Sequence, residues 1–426
     1  MRSLQHFALP EDIRTQDYLL ATYFIRLRAN QDVVARTIGF AVGQTIGTWI
    51  EVPGISREMR ADHQGRVVRI LPVPPADLVS DAPQQPPAAY YVQIALPAVN
   101  FADQFPMLLN TILGNDASTS IQAKLVDLEL PDSMADAYGG PRYGVQGVRD
   151  MLGVPDRPLV LNMIKPCTGL KPTDGARILY ETALGGLDLI KDDELMGNPA
   201  FSPLSERVRA YVAAAKSAAQ ETGREVVYLP NISDRPDRLV DNARRAVDAG
   251  ARAVMLTYAT VGYAGVQAVR DAVSVPILGH FAGTGMYYEH AFTGMSADLA
   301  CGLLPRLAGC DMVLTNTPFG GYPLSGLSYL RTVQQIVLPR PGIAAALPVV
   351  GGGVHQGTVQ RYVQDLGMDV VLGAGGAIQG HPSGATAGAR SMMQAVEAAA
   401  HGIDLREAAR QYPELAEAID RFGVLA

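Results

Sequence analysis

Only three cysteines occur in the 426 residues, Cys167, Cys301 and Cys310, so no disulfide framework is expected. Lysine is almost as scarce. Of 35 basic residues, just five are lysines: Lys124, Lys165, Lys171, Lys191 and Lys216. The formal net charge of −7 leaves no basic surplus for a nucleic-acid partner. No apolar run approaches the roughly 18 residues needed to cross a bilayer, so no membrane partner is expected. The start, MRSLQHFALPEDIRTQDY, lacks the charged-then-apolar order of a secretion signal. A soluble, cytoplasmic protein is the expectation. What is plentiful is apolar: 48% hydrophobic against 18% charged residues, enough to bury a core and to exclude wholesale disorder. The length is roughly two to three times that of one domain, which points to two domains or a large barrel with an appendage.

The scarcity of lysine is informative. Where a plain positive charge suffices the chain uses arginine, so a lysine kept in apolar surroundings stands out. A desolvated lysine can lose its proton and act as base or nucleophile; arginine cannot.

The first 140 residues carry no repeating βα rhythm. YLLATYFIRLRA (18–29) and AYYVQIALPA (89–98) read as strands, with a Pro-rich connection, PVPPADLVSDAPQQPPA, between parts of this region. This predicts a small α+β domain over 1–140. Over 141–426 the pattern changes to eight short apolar runs. They are LVLNMI (159–164), LDLI (187–190), EVVYLPN (225–231), AVMLTY (253–258), VPILGH (275–280), DMVLTN (311–316), LPVVGG (347–352) and VVLGAG (370–375). Helical stretches such as SERVRAYVAAAKSAAQETG lie between them, some ending in the glycine expected past a helix C-terminus. Apolar strands alternating with helices imply a parallel sheet covered on its other face. Eight such units predict a (β/α)8 TIM barrel. An open doubly wound sheet is the alternative, but no GxGxxG loop follows the first strand.

In a TIM barrel the chemistry sits at the C-terminal strand ends. Those ends carry Lys165, the cluster Lys191-Asp192-Asp193-Glu194, Asn231, His280, the glycines 351–353, and Gly375-Gly376. Three carboxylates beside a lysine can supply oxygen ligands to a hard cation such as Mg²⁺, although a charge run at a loop start is often merely solvated. The two glycine clusters would expose backbone N–H groups to a phosphate, or would serve only as tight turns. A lone histidine such as His280 is more often a hydrogen-bonded core residue than a catalyst. Cys167 reads as a small filler rather than a nucleophile.

Taken together, IKPCTGLKP, GGLDLIKDDE, VVGGGVH and GAGGAIQGHPSGATAGA resemble segments of the large subunit of ribulose bisphosphate carboxylase (RuBisCO). The likeness is greater to the RuBisCO-like proteins that do not fix carbon. TIGTW (45–49) and LLNTILGN (108–115) resemble the parts that reach into a neighbouring subunit's site. The resemblance implies a carbamylated Lys191 that holds one Mg²⁺ together with Asp193 and Glu194. It implies Lys165 as the proton-transfer lysine, with His280 and Asn115 at the substrate. It places a phosphate on Thr48, Trp49, Gly352, Gly353, Gly375 and Gly376, and makes the minimal assembly a homodimer.

Departures from the carboxylase pattern narrow the chemistry. Cys167 stands where the carboxylase has a second lysine, Phe281 where it has an arginine, Leu314 where it has a histidine, and TPFGGYPLSG lacks the mobile-loop lysine. The losses imply no carboxylation of ribulose bisphosphate and a monophosphorylated substrate. Enediolate chemistry remains. The reading favoured from sequence is C–C cleavage of 3-oxo-isoapionate 4-phosphate, a phosphorylated sugar acid, by decarboxylation or transcarboxylation with hydrolysis. The alternative is an enolase or isomerase of a methylthio sugar phosphate in sulfur salvage, which an apolar Phe281 and Leu314 would suit. Outside this class stand a Schiff-base aldolase built on Lys165 and a catalytically inactive regulatory protein.

Overall fold

Each of the eight apolar runs forms a strand in the computed structural model, which describes residues 4–28, 30–47, 52–75 and 88–425. Strands are numbered here in chain order through the molecule. The N-terminal ones are β1 (Tyr18–Leu27), β2 (Arg66–Val73), β3 (Ala88–Pro97) and β4 (Lys124–Glu129). The barrel strands are β5 (Leu159–Met163), β6 (Leu189–Lys191), β7 (Val227–Leu229), β8 (Val254–Thr257), β9 (Ile277–His280), β11 (Met312–Thr315), β12 (Leu347–Val350) and β13 (Val371–Ala374). β10 (Gly294–Met295) lies outside the barrel.

The barrel strands pair in parallel in the order β7-β6-β5-β13-β12-β11-β9-β8. A parallel bridge between Asn231 and Met255 closes the ring. It is supported by hydrogen bonds from the Met255 amide to the Pro230 carbonyl (2.9 Å) and from the Ile232 amide to the Met255 carbonyl (2.9 Å). Alternate residues point inward. Leu159, Leu161, Leu189, Met255, Leu314 and Val349 thereby fill the interior with buried side chains, each worth about 1.5–3 kcal/mol relative to exposure. Helices between the strands cover the outside. The longest, Leu204–Thr222, stops at Gly223, whose φ of 69° is the left-handed conformation that ends a helix cheaply.

The N-terminal unit has its own five-stranded sheet, ordered β10-β4-β1-β3-β2. All neighbours are antiparallel except β10 with β4. Tyr23 anchors one face of this sheet. Its ring meets Phe40 edge-on at 4.8 Å, and its hydroxyl donates to the Ile112 carbonyl at 2.8 Å. The first part of the Pro-rich connection is not a loop: Pro72 and Val73 belong to β2. A proline is tolerated there because β2 lies at the sheet edge.

The compact units are residues 1–139 with 284–300, and residues 140–283 with 301–426. The segment after β9 therefore groups with the N-terminal unit, through β10, although it is read with the barrel from sequence. No helix among the described residues is long and apolar enough to cross a membrane.

Candidate functional site

Strand periodicity places the site. On β5 the inward series Leu159, Leu161, Met163 leads, two residues on, to Lys165; on β6 Leu189 leads to Lys191; on β9 Leu278 leads to His280. Three strand ends thus lift polar groups to the barrel mouth, one layer above the apolar core.

The KDDE run splits by the same alternation. Asp192 turns away into the helix layer and is fully engaged. It accepts from the Tyr228 hydroxyl (2.7 Å) and the Asn231 amide (2.9 Å), and pairs with the buried Arg207 at 3.1 Å. It serves as an anchor. Asn231 then donates its side-chain amide to the carbonyls of Asp193 (3.3 Å) and Glu194 (3.0 Å), which fixes the path of the next two residues.

Lys165 donates from Nζ to Asp193 Oδ2 (2.6 Å) and to Cys167 Sγ (3.1 Å). Burial would lower its pKa, but the hydrogen bonds to Asp193 and Cys167 outweigh that and hold it above the ordinary lysine value. The same contact outweighs burial at Asp193 and keeps that carboxyl below its usual range. Held this way the lysine is protonated, and acting either as an imine-forming nucleophile or as a proton-abstracting base would require release from Asp193.

Lys191 is fully buried, and its ammonium donates to the Asp192 carbonyl at 2.9 Å. Desolvation pushes its pKa down to about 8, against the pull of Glu194 and Asp193. His280 is also buried. Desolvation, then Lys191 and Lys165, hold its pKa well below 6.5, so it is neutral. Its Nδ1 accepts from the Ala282 amide at 3.1 Å, which assigns the proton to Nε2. Nε2 faces Glu194 Oε2 at 3.4 Å.

The glycine clusters separate into two kinds. Gly352 and Gly353 have φ of 85° and 106° and meet the loop after β11. The Gly321 amide donates to the Gly352 carbonyl at 3.0 Å, and a Cβ on Gly353 would sit 3.0 Å from Gly320 Cα. Close backbone packing accounts for them, though Gly353 remains exposed on its other side. A Cβ on Gly375 would lie 3.4 Å from Lys165 Cε, so this glycine makes room for the lysine stem. Gly376 is exposed, with nothing within 4 Å of a Cβ there. Asn115 is exposed beside the helix Phe105–Leu113 of the N-terminal unit. Thr48 and Trp49 lie outside the described residues.

Gln379 was not expected from sequence. It accepts from the Lys165 amide through Oε1 (2.7 Å) and donates to the Lys165 carbonyl through Nε2 (2.9 Å). A neutral residue three places past a glycine pair gives no signal of its own; only the adjacency of β13 and β5 in the barrel brings it to Lys165. The apolar side of the mouth is also clear. Phe281 stacks on His280 with ring centroids 5.1 Å apart and 18° between planes, and like Met163 it packs on the barrel core. A Cβ on Gly351 would meet Met163 Cε at 2.8 Å and Leu314 Cδ1 at 3.0 Å, so these three residues adjoin.

Among the described residues, no three His, Cys, Asp or Glu side chains group as metal ligands. Asp193 and Glu194 fall one anionic ligand short. A carbamate on Lys191 would supply the missing oxygen donor, and the residues fit a hard cation on that condition.

Residues 144–422 match the model of the ribulose bisphosphate carboxylase large chain, catalytic domain. A ribulose bisphosphate carboxylase-like protein of Archaeoglobus fulgidus is 37% identical over 95% of this chain and 93% of its own length. The 2,3-diketo-5-methylthiopentyl-1-phosphate enolase of Geobacillus kaustophilus is 35% identical over 96% of this chain and 98% of its own. Among solved structures, the RuBisCO-like protein MtnW of Alicyclobacillus acidocaldarius superposes with a TM-score of 0.87 at 36% identity, covering 96% of this chain and all of that one. The dimeric archaeal RuBisCO of Hyperthermus butylicus does so at 0.85 and 28%, covering 96% of each.

These likenesses overturn the cleavage of 3-oxo-isoapionate 4-phosphate expected from sequence. Relatives at 34–35% identity along nearly their whole length are named 2,3-diketo-5-methylthiopentyl-1-phosphate enolases, which agrees with the alternative. The reason is physical as well: Phe281, half-buried on the His280 ring, presents an apolar group that offers no partner to a charged tail. By motif, fold and full-length similarity, the chain belongs to the RuBisCO large-chain family, among its RuBisCO-like (form IV) proteins.

Proposed function

We propose that the protein enolises 2,3-diketo-5-methylthiopentyl 1-phosphate or a close methylthio sugar phosphate. A proton leaves the carbon beside a carbonyl, and the carbonyl oxygen ends as the enol hydroxyl. The observation that carries this reading is the apolar wall that Phe281 contributes, half-buried and stacked on His280, beside a site otherwise built of ionisable groups. A thioether tail suits such a wall, and a second phosphate or a carboxylate does not.

In this reading the barrel unit is the catalytic domain. Lys191 as its carbamate, Asp193 and Glu194 would hold one Mg²⁺, which when bound supplies a Lewis acid for the carbonyl oxygen. Lys165 moves the proton at the adjacent carbon, and Gln379 fixes the backbone from which it reaches. His280, neutral and protonated on Nε2, donates a hydrogen bond and adds no charge. Gly375 leaves space beside the Lys165 stem, while exposed Gly353 and Gly376 offer backbone to the phosphate. A homodimer in which Asn115 completes the partner's site belongs to the same proposal; the relative described as dimeric supports it.

The test is a UV and ¹H NMR time course with purified protein, Mg²⁺, bicarbonate and 2,3-diketo-5-methylthiopentyl 1-phosphate. Appearance of the enol is the expected result. Turnover of 3-oxo acid phosphates alone, or of nothing, would sink the proposal.

Two smaller effects follow. Phe281→Ala should raise KM for the methylthio substrate about tenfold, in line with one small apolar group in a pocket. It should leave a substrate analogue lacking the methylthio group nearly unaffected, and steady-state kinetics on the pair separates a lost tail contact from general damage. Gln379→Ala should lower kcat about three- to tenfold at little-changed KM, because it releases two hydrogen bonds that aim Lys165 without touching substrate.

A further inference from the structure

We infer that Lys165 gives up Asp193 when the metal binds and keeps Cys167, and that Cys167 is therefore the positioning residue of Lys165 in the metal-loaded enzyme. The inference rests on the metal assignment proposed above and concerns what this chain's own residues must do to accept the ion.

Both oxygens of Asp193 are engaged. Oδ1 accepts from the Leu195 amide at 3.2 Å and Oδ2 from Lys165 Nζ at 2.6 Å. Each oxygen keeps a second lone pair, so a cation need not displace either donor outright, but one on Oδ2 would sit beside the Lys165 ammonium. The Leu195 amide is backbone, in a segment that Asn231 ties at the two preceding carbonyls. Lys165 is the movable partner: its backbone is clamped by Gln379, but its side chain is 40% exposed and pivots on four single bonds. A cation arriving at Asp193 also repels the ammonium directly. Lys165 should be the donor that leaves.

Its destination is already in contact. Cys167 Sγ lies 3.1 Å from Nζ, two residues along the same segment, and the thiol is only partly buried. The carboxylase pattern has a lysine at position 167. A second ammonium accepts no hydrogen bond, so this handover needs the cysteine. In the metal-free arrangement Lys165 holds both Asp193 and Cys167, and in the armed one only the Cys167 contact remains.

The direct test is a crystal structure of the wild-type protein grown with Mn²⁺ and bicarbonate, the ion located by its anomalous signal, with kinetics of Cys167→Ala and Cys167→Ser alongside. The expected structure has Mn²⁺ on Lys191, Asp193 and Glu194, with Lys165 Nζ off Asp193 and within hydrogen-bond reach of Cys167 Sγ. Cys167→Ala should lower kcat about tenfold with KM held, and Cys167→Ser, which keeps an acceptor, should recover most of it. Mn²⁺ bound while Lys165 stays on Asp193 Oδ2, or a Cys167→Ala enzyme with full kcat, overturns the handover and leaves the metal site standing. No anomalous density at Lys191 overturns the metal assignment itself, and the handover with it.

Discussion

Lys191→Met should cost at least about a thousandfold in kcat/KM, and neither bicarbonate nor magnesium should restore it. The figure follows from what is removed: a Lewis acid at a developing oxyanion is worth several kcal/mol, and each 1.36 kcal/mol is tenfold. Methionine is close in length and apolar, so it fills the fully buried space that Lys191 occupies. Asp193 keeps its Lys165 partner, and the fold should survive. The pH dependence has a definite sign. A carbamate forms from the neutral amine, and burial brings the Lys191 pKa to about 8. Activation of the metal-free wild type by bicarbonate should therefore rise as pH passes upward through 8. In Lys191→Met the response should be flat. Full activity in the variant would remove the carbamate, and with it the reason for reading the KDDE run as a metal site.

That run also shows where sequence reasoning was sufficient and where it failed. The eight strands were legible because fully buried parallel strands leave uninterrupted β-branched runs bounded by glycine and polar residues. Lys165, Lys191 and His280 were legible because the residue after an inward apolar series must emerge at the barrel mouth. The division of labour inside KDDE was not. Asp192 and Asp193 are chemically identical neighbours, and what distinguishes them is Arg207, which arrives from a helix and reaches Asp192 alone. Gln379 stayed hidden for a related reason: its contacts to Lys165 span more than two hundred residues and exist only because β13 closes on β5. β10 could not be seen at all, since two residues carry no periodicity.

The reaction was misjudged on a different ground. The loss of charge at Phe281 and Leu314 was read correctly as an apolar environment, which favours a thioether tail. Cleavage and enolisation both start from a monophosphorylated substrate and pass through an enediolate, so the other departures from the carboxylase pattern do not separate them. Of the two substitutions, Leu314 is buried and packs with Met163 and Gly351, whereas Phe281 is half-buried on the His280 ring, a difference that single positions in a sequence do not reveal.

Lys165→Met should lower kcat by about 10²–10⁴-fold, the range for a positioned acid or base, while metal binding persists. Replacement takes the ammonium partner from Asp193, whose side chain is 3% exposed, so the metal-free Tm should fall, while metal binding restores a counter-charge there and keeps the loaded variant folded. The loss should therefore lie in chemistry rather than in folding. A readout specific to proton transfer settles the role: in D₂O the wild type should wash deuterium into the carbon beside the carbonyl, and the variant should not. Retained exchange with lost turnover would place the base elsewhere and leave Lys165 as a partner of Asp193 only. Because Asp193 loses its ammonium in this variant, its carboxylate is freer, and Mn²⁺ should bind at least as tightly as in the wild type. An inactive protein with an intact metal site is thus the result that separates the proton-transfer role of Lys165 from any part it has in building the site.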